Sequence, residues 1–287
     1  MSAQNLTERA MLVSLNISQW SARKHDKKIT AEVAAKHQTH GNCGNYHKRL
    51  LPQDAASYNA IVTAAGAART DHYANTLPWA DDGCRILTAE NFLSWAGKMR
   101  QHQAAFDLAV SDFARDYPSL REDARVMLNG LWSAADYPEA SEIPRRFKFG
   151  TSVLPLPSAQ DFRVQLGAEQ EEAIRAEIEA HVNATTQAAM GDAFSRLSAA
   201  LGHLQERLAT PGAIFRNTLF TNLEELVEVL PRLNLTGDPS LTAVTERVRR
   251  EILGACTPDA ARQDPAARAQ AAAKADAILA QMQGLYR

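Results

Sequence analysis

The stretch MLVSLNISQW, residues 11–20, alternates apolar and polar side chains. Val13, Leu15 and Ile17 are separated by single polar residues, and this period of two is typical of a β-strand with one buried face. Residues 146–166 show a similar alternation but contain two prolines, which fit only an edge strand or an exit loop. Because a lone hairpin is marginal in water, we predict that the two stretches pair in a small antiparallel sheet.

Helices are predicted for most of the chain that separates these stretches. Apolar residues repeat near the helical period over residues 52–75, 89–116 and 118–131, and Pro118 is expected to separate the last two helices. A shorter helix is predicted at residues 30–36, where the hydroxyl of Thr30 can cap the first turn.

Residues 168–209 lack proline and are predicted to form one long helix. From residue 190 onward the apolar side chains recur in steps of four and three, which is the heptad pattern. A similar seam at residues 215–233 follows a short turn, so an antiparallel helical hairpin is predicted. The first seam is interpreted either as the inside of this hairpin or as an oligomer interface, and its residues are Met190, Phe194, Leu197, Leu201, Leu204 and Leu208.

Further helix starts are predicted where Thr or Asp precedes proline, since the first side chain can cap the helix and the proline fixes φ. The pairs are Thr210-Pro211, Asp238-Pro239, Thr257-Pro258 and Asp264-Pro265. The predicted fold class is therefore α+β and mainly α-helical, a small antiparallel sheet with inserted helices plus a C-terminal helical hairpin. We expect two domains, an α+β domain at residues 1–166 and a helical lobe at 167–287.

The composition is that of a soluble globular protein. Of the 287 residues, 45% are hydrophobic and 22% are charged, too apolar a balance for a disordered chain. Three distant cysteines do not suggest a disulfide framework, and no apolar run is long enough for a membrane span. A cytoplasmic protein with no membrane partner is therefore expected, and the first residues lack the pattern of a secretion signal.

Sequence motifs of several enzyme classes are absent. The chain has no phosphate-binding loop of ATPases, no dinucleotide fingerprint, no hydrolase nucleophile elbow, no zinc-protease motif and no C-x-x-C pair. An ATPase, a nicotinamide-dependent oxidoreductase, an α/β-hydrolase or a zinc protease is thus disfavoured, and we expect a protein that is not an enzyme.

A candidate metal site lies in HQTHGNCGNYH, residues 37–47. His37, His40, Cys43 and His47 are all competent zinc ligands, so zinc is the one cofactor that the sequence raises. Structural zinc sites usually combine two ligand pairs separated by a longer element, whereas these four side chains crowd into eleven residues. An exposed polar loop without metal is the alternative interpretation.

A second candidate lies at residues 69–87. Asp71, His72, Asp81 and Asp82 could hold a divalent metal or activate a water molecule, as in a metal-dependent hydrolase. The alternative is structural, because the sequence Asp-Asp-Gly is typical of a turn. No further acid–base motif accompanies these residues.

Cations are concentrated near the N-terminus. Residues 1–53 carry eight Lys/Arg and three Asp/Glu, a net +5, so the remainder of the chain sums to −7. Lys/Arg beside aromatic rings can neutralise phosphates and stack on bases. The predicted nucleic-acid-binding residues are Trp20, Arg23, Lys24, Lys27, Lys28, Lys48, Arg49, Arg145, Arg146 and Lys148. Alternatively, Phe147 and Phe149 belong to the core and the cations form only a solvated rim.

Several segments resemble a family of bacteriophage and prophage proteins of unknown function. They are LVSLNISQWSARKHDKK (12–28), NTLPWADDGCRIL (75–87), FRVQL (162–166) and VLPRLNLTGDP (229–239). The resemblance extends from about residue 11 to the last helix and does not include the His-rich loop. Members are sometimes encoded near MoxR-like ATPases and phage DNA-handling genes. The resemblance implies an accessory role, and it assigns no functional residue.

The function that we predict is a non-enzymatic phage accessory protein. It would form homo-oligomers and contact nucleic acid through a basic face of the N-terminal sheet. One alternative is an adaptor that binds an ATPase or a host protein without touching nucleic acid. The second alternative is the metal-dependent hydrolase described above.

Overall fold

The computed structural model describes residues 6–40, 43–81, 83–161, 164, 167–210 and 212–285. The predicted fold class is confirmed, since the protein is α+β and mainly helical with a small antiparallel sheet. The strands are β1 (Ala10–Ser18), β2 (Arg23–His25), β3 (His47–Arg49), β4 (Leu77–Pro78), β5 (Arg85–Thr88) and β6 (Lys148–Pro155). The helices are α1 (Lys27–Lys36), α2 (Ala56–Ala74), α3 (Phe92–Leu128), α4 (Ala168–Ala209), α5 (Thr218–Val229), α6 (Pro239–Val248), α7 (Pro258–Gln263) and α8 (Pro265–Leu285).

The four-stranded sheet has the strand order β4-β5-β1-β6. The predicted pairing is thus confirmed, because β1 and β6 are neighbours. On its other side β1 pairs antiparallel with β5, with Ala10 opposite Thr88 and Val13 opposite Arg85. The short strands β4 and β5 were not predicted. The second half of the predicted strand region is not confirmed as a strand. Val164 is exposed and does not belong to a strand, and the described residues do not include 162, 163, 165 and 166.

The chain forms two compact units that are interleaved in sequence. Unit 1 comprises residues 1–14, 71–97 and 152–287, and unit 2 comprises residues 15–70 and 98–151. The predicted boundary near residue 166 does not coincide with this division. The reason lies in the core of unit 1, where apolar side chains of β1, β4 and β5 pack together with those of the C-terminal helices.

The heptad seam of α4 is buried within unit 1. All six seam residues belong to its core, and Leu197, Leu201 and Leu204 are completely inaccessible to solvent. The most extensive helical partner of α4 is α8, ahead of the predicted hairpin partner α5. The alanine-rich α8 allows this close approach because three of its buried side chains, Ala271, Ala272 and Ala275, are small. The seam therefore supplies intramolecular packing and is not a surface available to a second copy.

Unit 2 has an aromatic core. Phe113 lies at its centre, with ring centroids 5.6–5.7 Å from those of Tyr58, Tyr117 and Phe147. Trp20 packs on the same group, 5.9 Å from Tyr117. Edge-to-face packing of this kind adds stability beyond the area that the rings bury.

Several helix boundaries differ from those predicted. Helix α3 is continuous and contains Pro118, because Phe113 and Tyr117 before the proline and Ala124 after it pack in one core. This packing outweighs the backbone hydrogen bond that proline cannot make. Helix α1 begins at Lys27, not at Thr30, and its cap is Asp26, which accepts hydrogen bonds from the amides of residues 28 and 29.

The remaining helix starts illustrate which signals are reliable. Helix α2 begins at Ala56 and not at Pro52. The starts at Pro239, Pro258 and Pro265 are confirmed. Asp238 and Thr257 cap their helices as predicted, accepting hydrogen bonds from the amides of residues 240 and 260. Residue 211 lies outside the described residues, and the next helix begins only at Thr218.

Candidate nucleic-acid interface

The positive charge of unit 2 is gathered in residues 23–49, which we call the basic segment. Unit 2 has sixteen Lys/Arg and eleven Asp/Glu, which gives a net charge of +5. Unit 1 has the remaining fifteen Lys/Arg and twenty-two Asp/Glu, which gives a net charge of −7. The basic segment holds seven Lys/Arg and two Asp/Glu, which is also +5. The rest of unit 2 therefore has no net charge. The basic segment contains β2, α1 and β3.

Strands β2 and β3 form a two-stranded antiparallel ribbon. Its register places Arg23 opposite Arg49 and His25 opposite His47. Residues directly opposite each other, and residues two apart along a strand, share one face. The two arginines and two histidines thus lie together on one face, and the imidazole centroids are 5.2 Å apart.

This face is open to solvent and lacks an anion of its own. Arg23, His47 and Arg49 are exposed, and His25 is half-buried. In the described part of the chain, no carboxylate lies within ion-pairing distance of Arg23, Lys24 or Arg49. Like charges directly across a strand pair destabilise it. An external anion between Arg23 and Arg49 would remove that repulsion.

A buried lysine anchors the opposite face of the ribbon. The Lys48 ammonium lies 2.7 Å from the Asp136 carboxylate and 3.5 Å from that of Asp26, and it donates a 2.7 Å hydrogen bond to the carbonyl of Leu131. Burial opposes its charge, but the hydrogen bond and charge of Asp136, with those of Asp26, outweigh burial and raise the pKa of Lys48. The ribbon is thereby fixed to the turns that follow α3.

Helix α1 has little packing of its own, since none of its residues is buried. Its first turn is held by Asp26, whose pKa is lowered chiefly by the hydrogen bond from the amide of Ile29. The hydroxyl of Thr30 accepts a hydrogen bond from the amide of Tyr46 and lies 3.1 Å from Nε2 of His25. Polar contacts, and not a hydrophobic face, keep this ten-residue helix beside the ribbon.

The structure changes the predicted set of nucleic-acid contacts. Arg23, Lys24 and Arg49 lie on the exposed ribbon, and Lys27 and Lys28 are exposed in the first turn of α1. Lys48 is buried in ion pairs, so it cannot contact a phosphate. Phe147 is buried in the aromatic core and cannot stack on bases, and the half-buried Trp20 packs against Phe113 and Tyr117 of that core.

The predicted single basic sheet face is wrong, because the cations are distributed over two sheets. Lys148 belongs to β6 of the four-stranded sheet, next to Arg145 and Arg146 in sequence, whereas Arg23, Lys24 and Arg49 belong to the ribbon. Arg146 also lies 3.5 Å from Glu142. The interpretation that Phe147 and Phe149 are core residues agrees with their packing on Phe113 and Phe106.

The four predicted zinc ligands do not assemble. His37 directly follows α1, the Cys43 thiol donates to the carbonyl of His40, and His47 faces His25 across the ribbon. Over the described ranges, no group of three or more His, Cys, Asp or Glu side chains is placed to hold a metal ion. The spacing of these residues did not reveal the strand pairing of His47 with His25.

His72, from the second candidate site, is a buried side chain of unit 1. It is 3% exposed, and its Nδ1 accepts a 3.1 Å hydrogen bond from Nε1 of Trp95. Burial, helped by the nearby Arg85 guanidinium, lowers the pKa of His72 to about 4. Asp81 is exposed, and Asp82 lies outside the described residues. His72 is therefore a neutral core group that no substrate can reach.

The end of α2 explains why so many polar groups surround His72. The carbonyls of residues 71–76 all accept hydrogen bonds from side chains. Asn75 donates to the carbonyl of residue 71, Thr76 to that of residue 72, and Asn91 to that of residue 75. Arg196 donates to the carbonyls of residues 73, 74 and 76, and Arg85 also donates to that of residue 76. The carbonyls at a helix C-terminus have no intrahelical partner, so this network is a structural cap.

Comparison with known proteins adds no assignment. No family model, no curated protein and no solved structure matches the chain. Within the described residues, none of the helices combines the length and the apolar character that a membrane crossing requires.

Proposed function

We propose that this chain is a non-enzymatic nucleic-acid-binding protein whose basic segment grips the sugar-phosphate backbone. The observation that carries the proposal is the cross-strand pairing of Arg23 with Arg49, next to that of His25 with His47. Guanidinium groups bind phosphate oxygens in a bidentate manner, and neutral or charged imidazole donates further hydrogen bonds. A phosphate seated on this face would relieve the repulsion between the two arginines.

The arrangement favours contact with the backbone over reading of bases. Of the aromatic residues next to the predicted cations, Phe147 is buried in the core, and Trp20 and Phe149 are half-buried and pack against it. Lys27 and Lys28 add exposed positive charge in the first turn of α1, next to the ribbon in sequence, whereas Lys24 lies with Lys48 on the opposite face of the ribbon. Contacts of this kind bind with little sequence preference and with strong dependence on salt.

The test is fluorescence anisotropy with labelled oligonucleotides of about 20 nucleotides, single-stranded and duplex, at about 50 and 200 mM salt. The full chain should bind at low salt and weaken steeply at high salt. The double variant Arg23→Glu/Arg49→Glu should bind at least about tenfold more weakly. Its slope of log K against log salt should be about 1.5–2 smaller, since two phosphate contacts are lost.

A matched control is the double variant Arg145→Glu/Lys148→Glu. It makes the same charge change in unit 2, outside the basic segment. Its affinity should change by no more than about threefold, because neither side chain belongs to the proposed phosphate site and each acts on it only through screened charge. Equal losses in the two double variants, or no salt-sensitive binding by the unaltered chain, would refute the proposed interface.

The resemblance to phage proteins implies an accessory role and nothing finer, and a cytoplasmic location would suit the proposed function. Self-association remains part of the prediction, although the α4 seam, being buried, does not supply the interface. An adaptor without nucleic-acid contact should show no salt-sensitive change in anisotropy with any oligonucleotide. The same measurement therefore distinguishes the two functions.

A further inference from the structure

A groove in unit 1 lies beside the C-terminal part of α4. Its volume is about 430 Å³, and it is bordered by α4 on one side and by α5 and the preceding loop on the other. Ala199, Ala200 and Leu219 contribute apolar surface, and Ile214 stands at its edge with 92% of its surface exposed. Among the described residues, no other large apolar side chain is as exposed.

The exposure of Ile214 does not result from a loose loop. The carbonyl of the preceding residue, Ala213, accepts a hydrogen bond from Arg268. The following residue, Phe215, is buried, and the guanidinium groups of Arg262 and Arg268 lie 5.2 and 5.6 Å from its ring centroid. Ile214 is thus held between two anchored neighbours and directed to solvent. A preformed apolar contact of this kind reduces the entropy cost of binding.

The rim of the groove is basic. Arg207, Arg216 and His203 line it, and all three are exposed. Nε of Arg207 lies 3.5 Å from Nε2 of His203, which keeps the two side chains together. No carboxylate is among the described residues that line the groove. The rim is notable because unit 1 as a whole has a net charge of −7.

We propose that this groove docks a short acidic segment of a partner protein, in which apolar side chains cover Ile214 and flanking carboxylates pair with Arg207 and Arg216. Apolar anchors surrounded by complementary charges are the usual composition of such interfaces. The site lies in unit 1 and is independent of the basic segment. It would serve an adaptor role whether or not the chain binds nucleic acid.

The test uses the full chain and three labelled hexapeptides, EELLEE, KKLLKK and EESSEE, with anisotropy as the readout. EELLEE should bind. KKLLKK lacks the carboxylates that pair with the arginines and EESSEE lacks the apolar side chains that cover Ile214, so each should bind at least about tenfold more weakly. Ile214→Ser and Arg216→Glu should each weaken EELLEE by about tenfold, which is the usual effect of a central contact. In methyl NMR spectra, EELLEE should shift the δ1 signal of Ile214.

Matched controls are available on α3. Leu108→Ser removes an apolar side chain that is 65% exposed, and Arg100→Glu reverses an exposed charge. Neither should change the affinity for EELLEE by more than about twofold. The proposal is overturned by absence of EELLEE binding, by equal binding of KKLLKK, or by full binding in Ile214→Ser. A concentration-dependent dimer that Ile214→Ser abolishes would assign the groove to a second copy instead.

Discussion

The ammonium of Lys48 lies 2.7 Å from the carboxylate of Asp136, and both side chains are largely closed to solvent, with exposures of 7% and 14%. Asp26, which is also the cap of α1, lies on the same ammonium. One cation therefore joins the ribbon, the first turn of α1 and the turns after α3. A buried ammonium group of this kind is stable only while its carboxylate partners stay in place.

Replacing Lys48 by methionine should destabilise unit 2 by about 2–4 kcal/mol, because two carboxylates lose their counterion in a poorly hydrated place. Urea unfolding would measure the loss. The control is Lys24→Met on the neighbouring strand, whose side chain is exposed; it should change stability by less than about 0.5 kcal/mol. Equal effects of the two substitutions would contradict the anchoring role.

Helix α1 should exchange its amide hydrogens rapidly. It has ten residues and buries none of them, and helices this short are marginal without tertiary packing. Hydrogen exchange at residues 27–36 should be at least about tenfold faster than at residues 190–208 of α4. Adding a single-stranded oligonucleotide at low salt should slow exchange in α1 if the basic segment binds the backbone. Protection of α1 equal to that of α4 in the free protein would rule out this description.

Unit 1 should lose stability as the pH falls from about 6.5 to about 4. The pKa of His72 in the folded state is lowered from 6.5 to about 4, so in this window the unfolded chain binds the proton more readily. The loss is absent above pH 6.5, grows through the window, and reaches about 3 kcal/mol near pH 4.

The measurement is urea unfolding at several pH values for the unaltered chain and for His72→Gln. The glutamine variant keeps an acceptor for Trp95 but does not titrate, so its stability should depend much less on pH in this range. His40→Gln alters an exposed histidine and should leave the slope unchanged. Identical slopes for all three proteins would show that His72 does not govern the acid response.

Truncating the α4 seam should affect folding and not assembly. Leu201 is completely buried, and Leu→Ala at such positions costs about 2–5 kcal/mol. Leu201→Ala should lower stability by that amount while the native mass, measured by light scattering, stays the same. The surface variant Leu108→Ala should change neither quantity appreciably. A fall in mass with unchanged stability would instead place the seam at an interface.

Local chemistry made much of the fold predictable. The period of two at Val13, Leu15 and Ile17 indicated β1, and the absence of proline between residues 168 and 209 indicated α4. The caps at Asp238 and Thr257 work as predicted because both the donor and the acceptor lie within three residues. Signals that act over one helical turn can be read without the tertiary structure.

The predictions that failed depend on interactions between residues that are distant in sequence. Pro118 stays inside α3 because Phe113 and Ala124 share a core with strands and loops far away in sequence. The strand β5 has only four residues and forms because β1 lies beside it. Likewise, the burial of Lys48 depends on Asp136, and the register that unites Arg23 with Arg49 depends on the pairing of two three-residue strands.

The interleaving of the units sets the order in which the protein can mature on the ribosome. Every residue of unit 2 has been synthesised by Thr151, so its aromatic core can close early. The first residues of β1 are translated well before α8, yet they belong to a core that includes Ile278 and Met282 of that helix. This apolar strand therefore lacks part of its native core until α8 has been translated, and removing α8 would leave it in the same state.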